Sequence, residues 1–294
     1  MAKRTRSIPG KVVAITGAAR GIGRATAQAL ARRGAAVAIG DLDLELARQT
    51  AEEIGGRTTA FRLNVTERDS VERFIAQTEE HLGPIDVLVN NAGIMPIVRF
   101  LDETPESFER QFAINVYGVI HGMQLVIPRM LERGGGQIVN IASSAGKFGG
   151  PGVANYCGTK HAVVGITESV RSELRDAPID FSVVMPGVVR TELTSGVPDT
   201  RGLKPVEPED IAEAIVEAIE TGRYEVYVPR SISGIYRATR LLPLRATDAM
   251  MKVVGADKAL THAIDSPERL AYKQRVELSG GDRQPQLPSG RDAE

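Results

Sequence analysis

Tyr156 is followed four positions later by Lys160, in the segment NYCGTKHA, and no other tyrosine of the chain has a lysine at that distance. On an α-helix, residues four apart lie on the same face, so the phenol and the amine can project into one cleft. A free phenol has a pKa of about 10, and each unit by which a nearby cation lowers it corresponds to about 1.4 kcal/mol. The pair therefore indicates a tyrosine that acts as an acid or a base. Two surface side chains on an amphipathic helix are the alternative, so the assignment depends on further residues.

Ser143 and Asn115 are the candidate partners of this pair. Ser143 ends the apolar run QIVNIAS, 13 residues before Tyr156, and a hydroxyl there can hydrogen-bond a carbonyl oxygen as charge develops on it. Ser144 is the adjacent alternative. Asn115 can present its amide to a helix backbone or to water that connects Lys160 to solvent, or it can be a buried side chain that satisfies main-chain groups.

Glycines occupy positions 17, 21 and 23 of the segment VVAITGAARGIGRA, where an apolar run gives way to a helical pattern. Without a Cβ, the backbone of a turn can approach a phosphate closely, and the amino end of a helix offers unpaired N–H groups and a positive dipole end. Such a strand-to-helix turn is typical of dinucleotide-binding proteins, although glycines also serve ordinary turns.

Asp41 follows the next apolar run, AAVAIG, 18 residues after Gly23. A carboxylate at the end of the second strand can accept hydrogen bonds from both hydroxyls of the adenosine ribose and repels a 2′-phosphate, which predicts NAD in preference to NADP. Asp41 or Asp43 can instead cap the following helix. Arg20, a cation in the glycine turn, is the feature that favours NADP, but the acidic group is better placed.

The hydrophobic pattern predicts the elements that position these residues. Six short apolar or β-branched runs alternate with segments that have apolar residues at helical spacing: VVAIT, AAVAIG, TTAFRLNV, IDVLVNN, QIVNIAS and DFSVVMP. A further run, YEVYVP, predicts a seventh strand. Strands that alternate with helices form parallel sheets covered on both faces. We therefore predict an α/β fold, a single Rossmann-type doubly wound domain with a mostly parallel seven-stranded sheet and a C-terminal helical extension.

The same pattern divides the chain into four parts. Residues 1–9 are predicted to be a solvated basic arm, and residues 10–229 to form the dinucleotide-binding and catalytic domain. Residues 230–265 combine apolar and basic side chains, which fits an interfacial membrane helix. An oligomer contact or a cover of the cleft is favoured, because Pro243 interrupts the helical stripe. Residues 266–294 are poor in apolar side chains, and we expect them to be mobile.

Composition argues against several functional classes. The 36 basic and 37 acidic residues give a formal net charge of -1, so no overall field attracts the chain to nucleic acid. The single cysteine, Cys157, rules out an internal disulfide, and the histidines show no ligand spacing, so no metal site is expected. No apolar run reaches the ~20 residues that a membrane-spanning helix needs. We expect a cytoplasmic protein.

The motifs together resemble the short-chain dehydrogenase/reductase family. They are TGAARGIG, NNAG at 90–93, NV at 115–116, Ser143, YCGTK and PGVVRT at 186–191, and they occur in this order. The resemblance implies that Tyr156 is the general acid-base, with Lys160 lowering its pKa and holding the nicotinamide ribose. It also implies that Ser143 orients the carbonyl and that Asn115 positions a proton-relay water.

The predicted cofactor site, including the positions implied by the resemblance, is built from the glycine turn and the carboxyl ends of the strands. Its residues are Gly17, Arg20, Gly21, Ile22, Gly23, Asp41, Asn64, Val65, Asn90, Asn91, Ala92, Gly93, Tyr156, Lys160, Pro186, Gly187, Val189 and Thr191. Asn64 stands where the family often has an aspartate that contacts adenine. An asparagine can still accept a hydrogen bond from the adenine amine, so we expect weakened or unchanged binding.

Apolar residues are prominent in the segments predicted to form the substrate cleft: Ile94, Met95, Phe148, Val153, Val188 and Leu193. They favour an apolar secondary alcohol or ketone that exchanges a hydride with nicotinamide. Arg99, Lys147 and Arg190 provide the alternative of an acidic substrate. The segment TSGVPDTRGLKP is rich in turn formers and is predicted to be a lid or, alternatively, a plain surface loop.

Other functional classes are weighed against the same residues. A non-catalytic nucleotide-binding scaffold is disfavoured because Ser143, Tyr156 and Lys160 are all present. A membrane-surface protein of the same fold is another alternative, in which the basic extension would bind lipid. A sugar-nucleotide epimerase would show a differently spaced glycine turn and a larger substrate domain. The resemblance also implies a homodimer or homotetramer, assembled partly through the helices that carry Asn115 and Tyr156.

Overall fold

The computed structural model describes residues 6–198, 205–243, 245, 256–264 and 266–278. The strands are β1 (Val12–Thr16), β2 (Ala36–Asp41), β3 (Thr58–Arg62), β4 (Val87–Asn90), β5 (Gly136–Ile141), β6 (Ile179–Pro186) and β7 (Glu225–Val228). The helices are α1 (Gly21–Ala31), α2 (Leu44–Ile54), α3 (Arg68–Leu82), α4 (Pro105–Phe112), α5 (Gly118–Glu132), α6 (Ala154–Glu173), α7 (Pro208–Thr221), α8 (Ser231–Leu241), α9 (Ala256–Ala263) and α10 (Pro267–Leu278).

The seven strands form one sheet in the order β3-β2-β1-β4-β5-β6-β7. Every strand pair is parallel, which confirms the predicted fold class. The chain moves outward from β1 to β3, returns to β4 beside β1, and then moves outward in the other direction. A crevice opens at such a reversal, outside the carboxyl ends of the two central strands, and ligands bind there in folds of this kind.

Both faces of the sheet are covered by helices, so the central strands are apolar along their whole length. In β1, Val13 and Ile15 pack with α1 and α7 on one face, whereas Val12 and Ala14 pack with α3 and α5 on the other. This alternation follows from the two-residue period of a strand, and burial of both faces explains why VVAIT is a continuous apolar run.

The N-terminal arm differs from the predicted solvated segment within the residues that the structure describes. Ile8 is 2% exposed and belongs to the core on the α1 and α7 face. The backbone N–H of Arg6 donates to the carbonyl of Glu220 at 2.8 Å, and its guanidinium pairs with Asp180 at 2.5 Å. Because one isoleucine in the arm is buried in the core, the basic composition of the arm did not predict this burial. Residues 1–5 lie outside the described part.

The C-terminal part also differs from the expected division. Part of the segment predicted to be mobile, Pro267–Leu278, is the helix α10, and residues 279–294 lie outside the described part of the chain. The preceding extension contributes α8 and α9. Within the described residues, none of the helices combines the length and the hydropathy needed to cross a bilayer.

Candidate active site

A cavity of about 1940 Å³ opens at the carboxyl ends of β1, β4, β5 and β6. Seventeen of the predicted site residues line it: Gly17, Arg20, Gly21, Ile22, Asp41, Asn64, Val65, Asn91, Ala92, Gly93, Ser143, Tyr156, Lys160, Pro186, Gly187, Val189 and Thr191. Gly23, Asn90 and Asn115 lie behind this surface. The parallel topology brings together residues that are up to 174 positions apart, from Gly17 to Thr191.

The glycine turn packs too tightly for side chains at two of its positions. Gly17 has φ +65°, and a Cβ there would lie 2.7 Å from the Cα of Ala92. A Cβ on Gly23 would lie 2.5 Å from the carbonyl oxygen of Gly17 and 2.7 Å from Nδ2 of Asn91. Glycine is therefore required for the turn to seat against the segment after β4.

The amino end of α1 faces the cavity without a side-chain cap. The helix begins at Gly21, and Arg20 at its N-cap makes no capping hydrogen bond. First-turn N–H groups of a helix have no partner within the helix, and the positive end of its dipole attracts anions. This uncapped end beside a glycine cradle fits the pyrophosphate of a dinucleotide.

Asn91, the second asparagine of the NNAG motif, holds the glycine turn by hydrogen bonds to its main chain. Nδ2 of Asn91 donates to the carbonyls of Thr16 and Gly17, at 3.0 and 2.8 Å. The hydroxyl of Thr16 accepts from the N–H groups of Asn91 and Ala92. Asn90 points into the sheet instead, where Nδ2 donates to Oδ1 of Asn140 at 2.8 Å. Thr16 was not predicted, because a threonine at the end of a strand carries no distinctive sequence signal.

Asp41 ends β2 at the far end of the cavity. Its Oδ2 accepts from the N–H of Ala19 at 3.0 Å, and its Oδ1 accepts from the N–H of Asp43 at 3.1 Å. Burial raises the pKa of the carboxyl, whereas these two hydrogen bonds and the charge of Arg20 lower it. Each oxygen keeps a lone pair for a further donor. The helix cap that was the alternative for Asp41 belongs to Asp43, which accepts from the N–H of Leu46.

Two neighbours of Asp41 are already engaged. The guanidinium of Arg20 pairs with Asp43 at 2.9 Å and with Glu192 at 3.4 Å. Oδ1 of Asn64, the predicted acceptor for the adenine amine, accepts from the N–H and the hydroxyl of Thr66. The cation that favoured NADP is thus neutralised by carboxylates, and the amide has less accepting capacity than the sequence suggested.

Tyr156 and Lys160 lie together in the first two turns of α6, and both are buried, with 6% and 5% exposure. Nζ of Lys160 donates to the carbonyl of Ile141 at 2.9 Å and lies 5.7 Å from the centre of the Tyr156 ring. The hydroxyl of Ser143, just after β5, lies beside the phenol and donates to the carbonyl of Pro186 at 3.5 Å. It also accepts from the N–H of Ala145 at 3.1 Å, which fixes its position.

The pKa shifts in this trio are dominated by burial. Burial raises the pKa of Tyr156 above its usual value, and the neighbouring hydroxyl of Ser143 opposes that rise. Burial lowers the pKa of Lys160 to about 8. Burial is the largest influence on both groups, and the lowering of the Tyr156 pKa by Lys160 stays a prediction.

Asn115 lies in a π-helical turn, Ala113–Tyr117, between α4 and α5. Its Oδ1 accepts from the N–H of Ile94 at 2.8 Å, and its Nδ2 donates to the carbonyl of the same residue at 2.9 Å. Nδ2 also donates to the hydroxyl of Thr159 at 3.1 Å. The side chain thus satisfies main-chain groups, which was one of the two alternatives, and it holds the segment after β4 rather than facing the cavity.

The end of the cavity beyond Tyr156 is apolar. A cluster of buried side chains joins α6 to the segment after β4 and to α9: Met95, Ile97, Val153, Tyr156, Cys157 and Ala263. Leu193, Val197, Leu260 and Ile264 pack against it. The helices α9 and α10 complete the wall, since Leu260, Tyr272 and Val276 line the cavity. None of these three was predicted from the sequence.

Most of the apolar residues predicted to form the cleft line the cavity, whereas the predicted basic residues do not. Ile94, Met95, Val153, Val188 and Leu193 line the cavity, whereas Phe148 packs edge-on against Tyr236 of α8. The three basic residues that suggested an acidic substrate lie outside the lining, and each pairs with a carboxylate: Arg99 with Asp102, Lys147 with Glu225 and Arg190 with Glu207. Residues 199–204 of the predicted lid lie outside the described part of the chain.

Residues 11–202 match the family model for short-chain dehydrogenases. The chain belongs to the short-chain dehydrogenase/reductase family. A sorbitol dehydrogenase of Cereibacter sphaeroides is 46% identical over 191 residues, which cover 65% of this chain and 75% of that protein. The probable oxidoreductase EphD of Mycobacterium tuberculosis is 35% identical over 268 residues, which cover 83% of this chain. The aligned region spans 45% of the length of that second relative.

A solved structure supports the same assignment. The short-chain dehydrogenase/reductase of Burkholderia phymatum in complex with NAD superposes with a TM-score of 0.74 at 26% identity, over 84% of this chain and 96% of its own. This short-chain dehydrogenase/reductase is accordingly an oxidoreductase, and its family uses a nicotinamide cofactor. The glycine cradle, the uncapped amino end of α1 and Asp41 fit the pyrophosphate and ribose of such a cofactor. Among the residues that the structure describes, no three acidic, histidine or cysteine side chains form a metal site.

Proposed function

We propose that this short-chain dehydrogenase/reductase interconverts an apolar secondary alcohol and the corresponding ketone, with NAD as cofactor and Tyr156 as general acid-base. One observation carries the proposal: the phenol of Tyr156, beside Ser143 and Lys160, lies where the polar end of the cavity meets the apolar end. When the oxygen of the substrate lies beside that phenol, the carbon that bears it lies between the cofactor site and the apolar wall.

The proton chemistry follows from these side chains. In oxidation, Tyr156 takes the hydroxyl proton while the C–H bond of the carbinol breaks and the C=O bond forms. In reduction, the phenol returns that proton to the oxygen. NAD, which the glycine turn and Asp41 would hold, would supply the hydride acceptor for oxidation and a positive ring charge that favours the phenolate. Ser143 donates a hydrogen bond to the substrate oxygen and so stabilises the charge that develops there.

The apolar substrate class is supported by the wall around the reacting position. Val153 belongs to the same apolar cluster as Tyr156, and Leu193 and Leu260, from two other segments, pack against that cluster. Arg99, Lys147 and Arg190, the three residues that suggested an acidic substrate, pair with carboxylates outside the lining. A polyol is the competing substrate class, because a sorbitol dehydrogenase is among the relatives. Purified protein should therefore be assayed with NAD and NADP against steroid, retinoid, acyl and sugar alcohols.

Substitution of the phenol tests the catalytic role. Tyr156→Phe removes one oxygen and should lower kcat by roughly 10²- to 10⁴-fold, the usual contribution of a positioned acid-base group. The dissociation constant of NAD, measured by calorimetry, should change by less than about twofold, because the ring and its packing remain. Tyr224→Phe is the matched control, since this tyrosine packs against Arg171 away from the cavity. Turnover of Tyr156→Phe at the wild-type rate would refute the proposed role.

The preference for NAD rests on the carboxylate of Asp41, which lines the cavity, and on the pairing of Arg20 with Asp43 and Glu192. Asp41→Asn keeps the shape of the side chain and removes the charge that repels a 2′-phosphate. The ratio of kcat/KM with NAD to kcat/KM with NADP should fall at least about tenfold, which corresponds to about 1.4 kcal/mol. The KM for the alcohol should stay unchanged, since Asp41 lies at the opposite end of the cavity. An unchanged coenzyme ratio would contradict the assignment of NAD.

A further inference from the structure

One face of α10 lies against the substrate end of the cavity. Arg269, Tyr272 and Val276 are three and four residues apart, so they share that face of the helix. Tyr272 and Val276 line the cavity. Arg269 is 4% exposed and lies behind the lining, with its guanidinium 4.4 Å from the centre of the Tyr272 ring. The helix thus contributes both a wall and a buried cation.

Both main-chain groups of Met95 are bonded by side chains of α10. The N–H of Met95 donates to the hydroxyl of Tyr272 at 3.0 Å, and Nη2 of Arg269 donates to the carbonyl of Met95. Met95 belongs to an irregular segment after β4, where no strand partner is present to satisfy the backbone. The preceding residue, Ile94, is held in the same way from the other side by Asn115.

The same guanidinium reaches the segment after β6. Nη1 of Arg269 donates to the carbonyl of Leu193 at 2.6 Å. Because the guanidinium is planar and its donors are fixed in a fork, it sets the separation of the two carbonyls that it joins. Within the described part of the chain, no carboxylate pairs with Arg269, so a buried charge is held by carbonyl oxygens and a ring face. Such a charge is costly to bury unless its donors are satisfied.

The two joined residues, Met95 and Leu193, both line the cavity at its apolar end. We propose that Arg269 is a positioning residue for substrate: it fixes Met95 relative to Leu193 and holds α10 as a wall, and so closes the apolar end of the site. Its kinetic consequence rests on the proposed function, whereas its structural consequence does not. The test therefore has one readout that needs no activity and one that does.

Cys157 provides the readout that needs no activity. It is the single cysteine of the chain, it is 7% exposed, and it packs in one apolar cluster with Met95 and with Ala263 of α9. Arg269→Ala should loosen α10 and the Met95 segment, so that local opening exposes the apolar cluster. The labelling of Cys157 by a neutral maleimide should then be at least about tenfold faster. Gln274→Ala, an exposed position on the same helix, should label at the wild-type rate.

Chemical rescue separates loss of the guanidinium from general damage to the fold. Millimolar guanidinium or ethylguanidinium should slow the labelling of Arg269→Ala back toward the wild-type rate and leave wild type unaffected. Where Arg269→Ala does not fold, Arg269→Lys takes its place, since a single ammonium cannot join both carbonyls in the same way. Wild-type labelling rates in the folded variant would overturn the proposal.

The kinetic readout is the KM for the best alcohol found in the substrate screen. Arg269→Ala should raise that KM at least about tenfold and leave the dissociation constant of NAD within about twofold, because the cofactor end is untouched. If no alcohol is turned over by wild type, the proposed function fails while the labelling result still decides the role of Arg269. If wild type is active and the variant has wild-type KM and labelling rates, the inference fails and the proposed function stands.

Discussion

Lys160 is a buried residue of the candidate site whose charged side chain is unfavourable for stability. Its ammonium is buried, and its pKa is lowered to about 8 because the charged form loses its hydration. The carbonyl of Ile141 compensates with one hydrogen bond, which is worth about 1 kcal/mol net. The difference between this pKa and the usual lysine value of 10.5 corresponds to about 3 kcal/mol against the charged form. We attribute the buried lysine at this position to the catalytic role proposed for the site and not to packing.

Lys160→Met should therefore stabilise the protein while it abolishes activity. Because the pKa is lower in the folded than in the unfolded state, the unfolded chain binds more protons between about pH 8 and the usual lysine value near 10.5. Wild-type stability should consequently gain from this lysine as pH rises through that window. The methionine variant should be more stable at pH 7 by about 1–2 kcal/mol, after the lost hydrogen bond is subtracted, and should lack that gain.

Urea denaturation of both proteins at pH 7, 8, 9 and 9.5 measures this difference. Other groups titrate in both proteins, so the difference in free energy of unfolding isolates Lys160. The two stabilities should converge as pH rises. The prediction is wrong if the difference in free energy of unfolding does not change with pH, or if the variant is less stable than wild type at pH 7. Either result would show that burial of the charged ammonium does not destabilise the folded protein.

At the scale of elements, the hydrophobic pattern predicted the strands, and the glycine spacing predicted the turn after β1. Strands such as β1 are buried on both faces, so their apolar runs are continuous and easily recognised. The glycine turn is readable because a Cβ at Gly17 or Gly23 would collide with neighbouring backbone. Since parallel strands end at the same edge of the sheet, the predicted strands also bring Gly17, after β1, and Ser143, after β5, to one crevice.

The attachment of α10 was not predicted, and the reason is physical. Its sequence, PERLAYKQRVEL, has a mean hydropathy below zero and no clear apolar stripe. The helix is held by side-chain bonds to the main chain of other segments: Arg269 to Met95 and Leu193, and Arg110 of α4 to the carbonyl of Val276. Such contacts depend on where irregular backbone lies in space, and no local pattern of residues reports that.

At the scale of the whole molecule, the segment before β1 joins parts of the fold that are far apart in sequence. Ile8 packs into the core shared by α1 and α7. Arg6 bonds the backbone at the end of α7 and the carboxylate of Asp180 in β6. The segment therefore covers the amino ends of β1 and β6 and the carboxyl end of α7, on the side of the sheet opposite the active site. This closure contributes to stability and has no contact with the cavity.

Ile8→Ala should test that closure. The side chain is 2% exposed, and truncation of a buried isoleucine to alanine costs about 2–4 kcal/mol through lost burial and the cavity left behind. Ser7→Ala, at an exposed neighbouring position, should change the free energy of unfolding by less than about 0.5 kcal/mol. Urea denaturation should show this contrast while the dissociation constant of NAD stays the same for both variants. Equal stability of the two variants would mean that the segment is a solvated arm, as its composition first suggested.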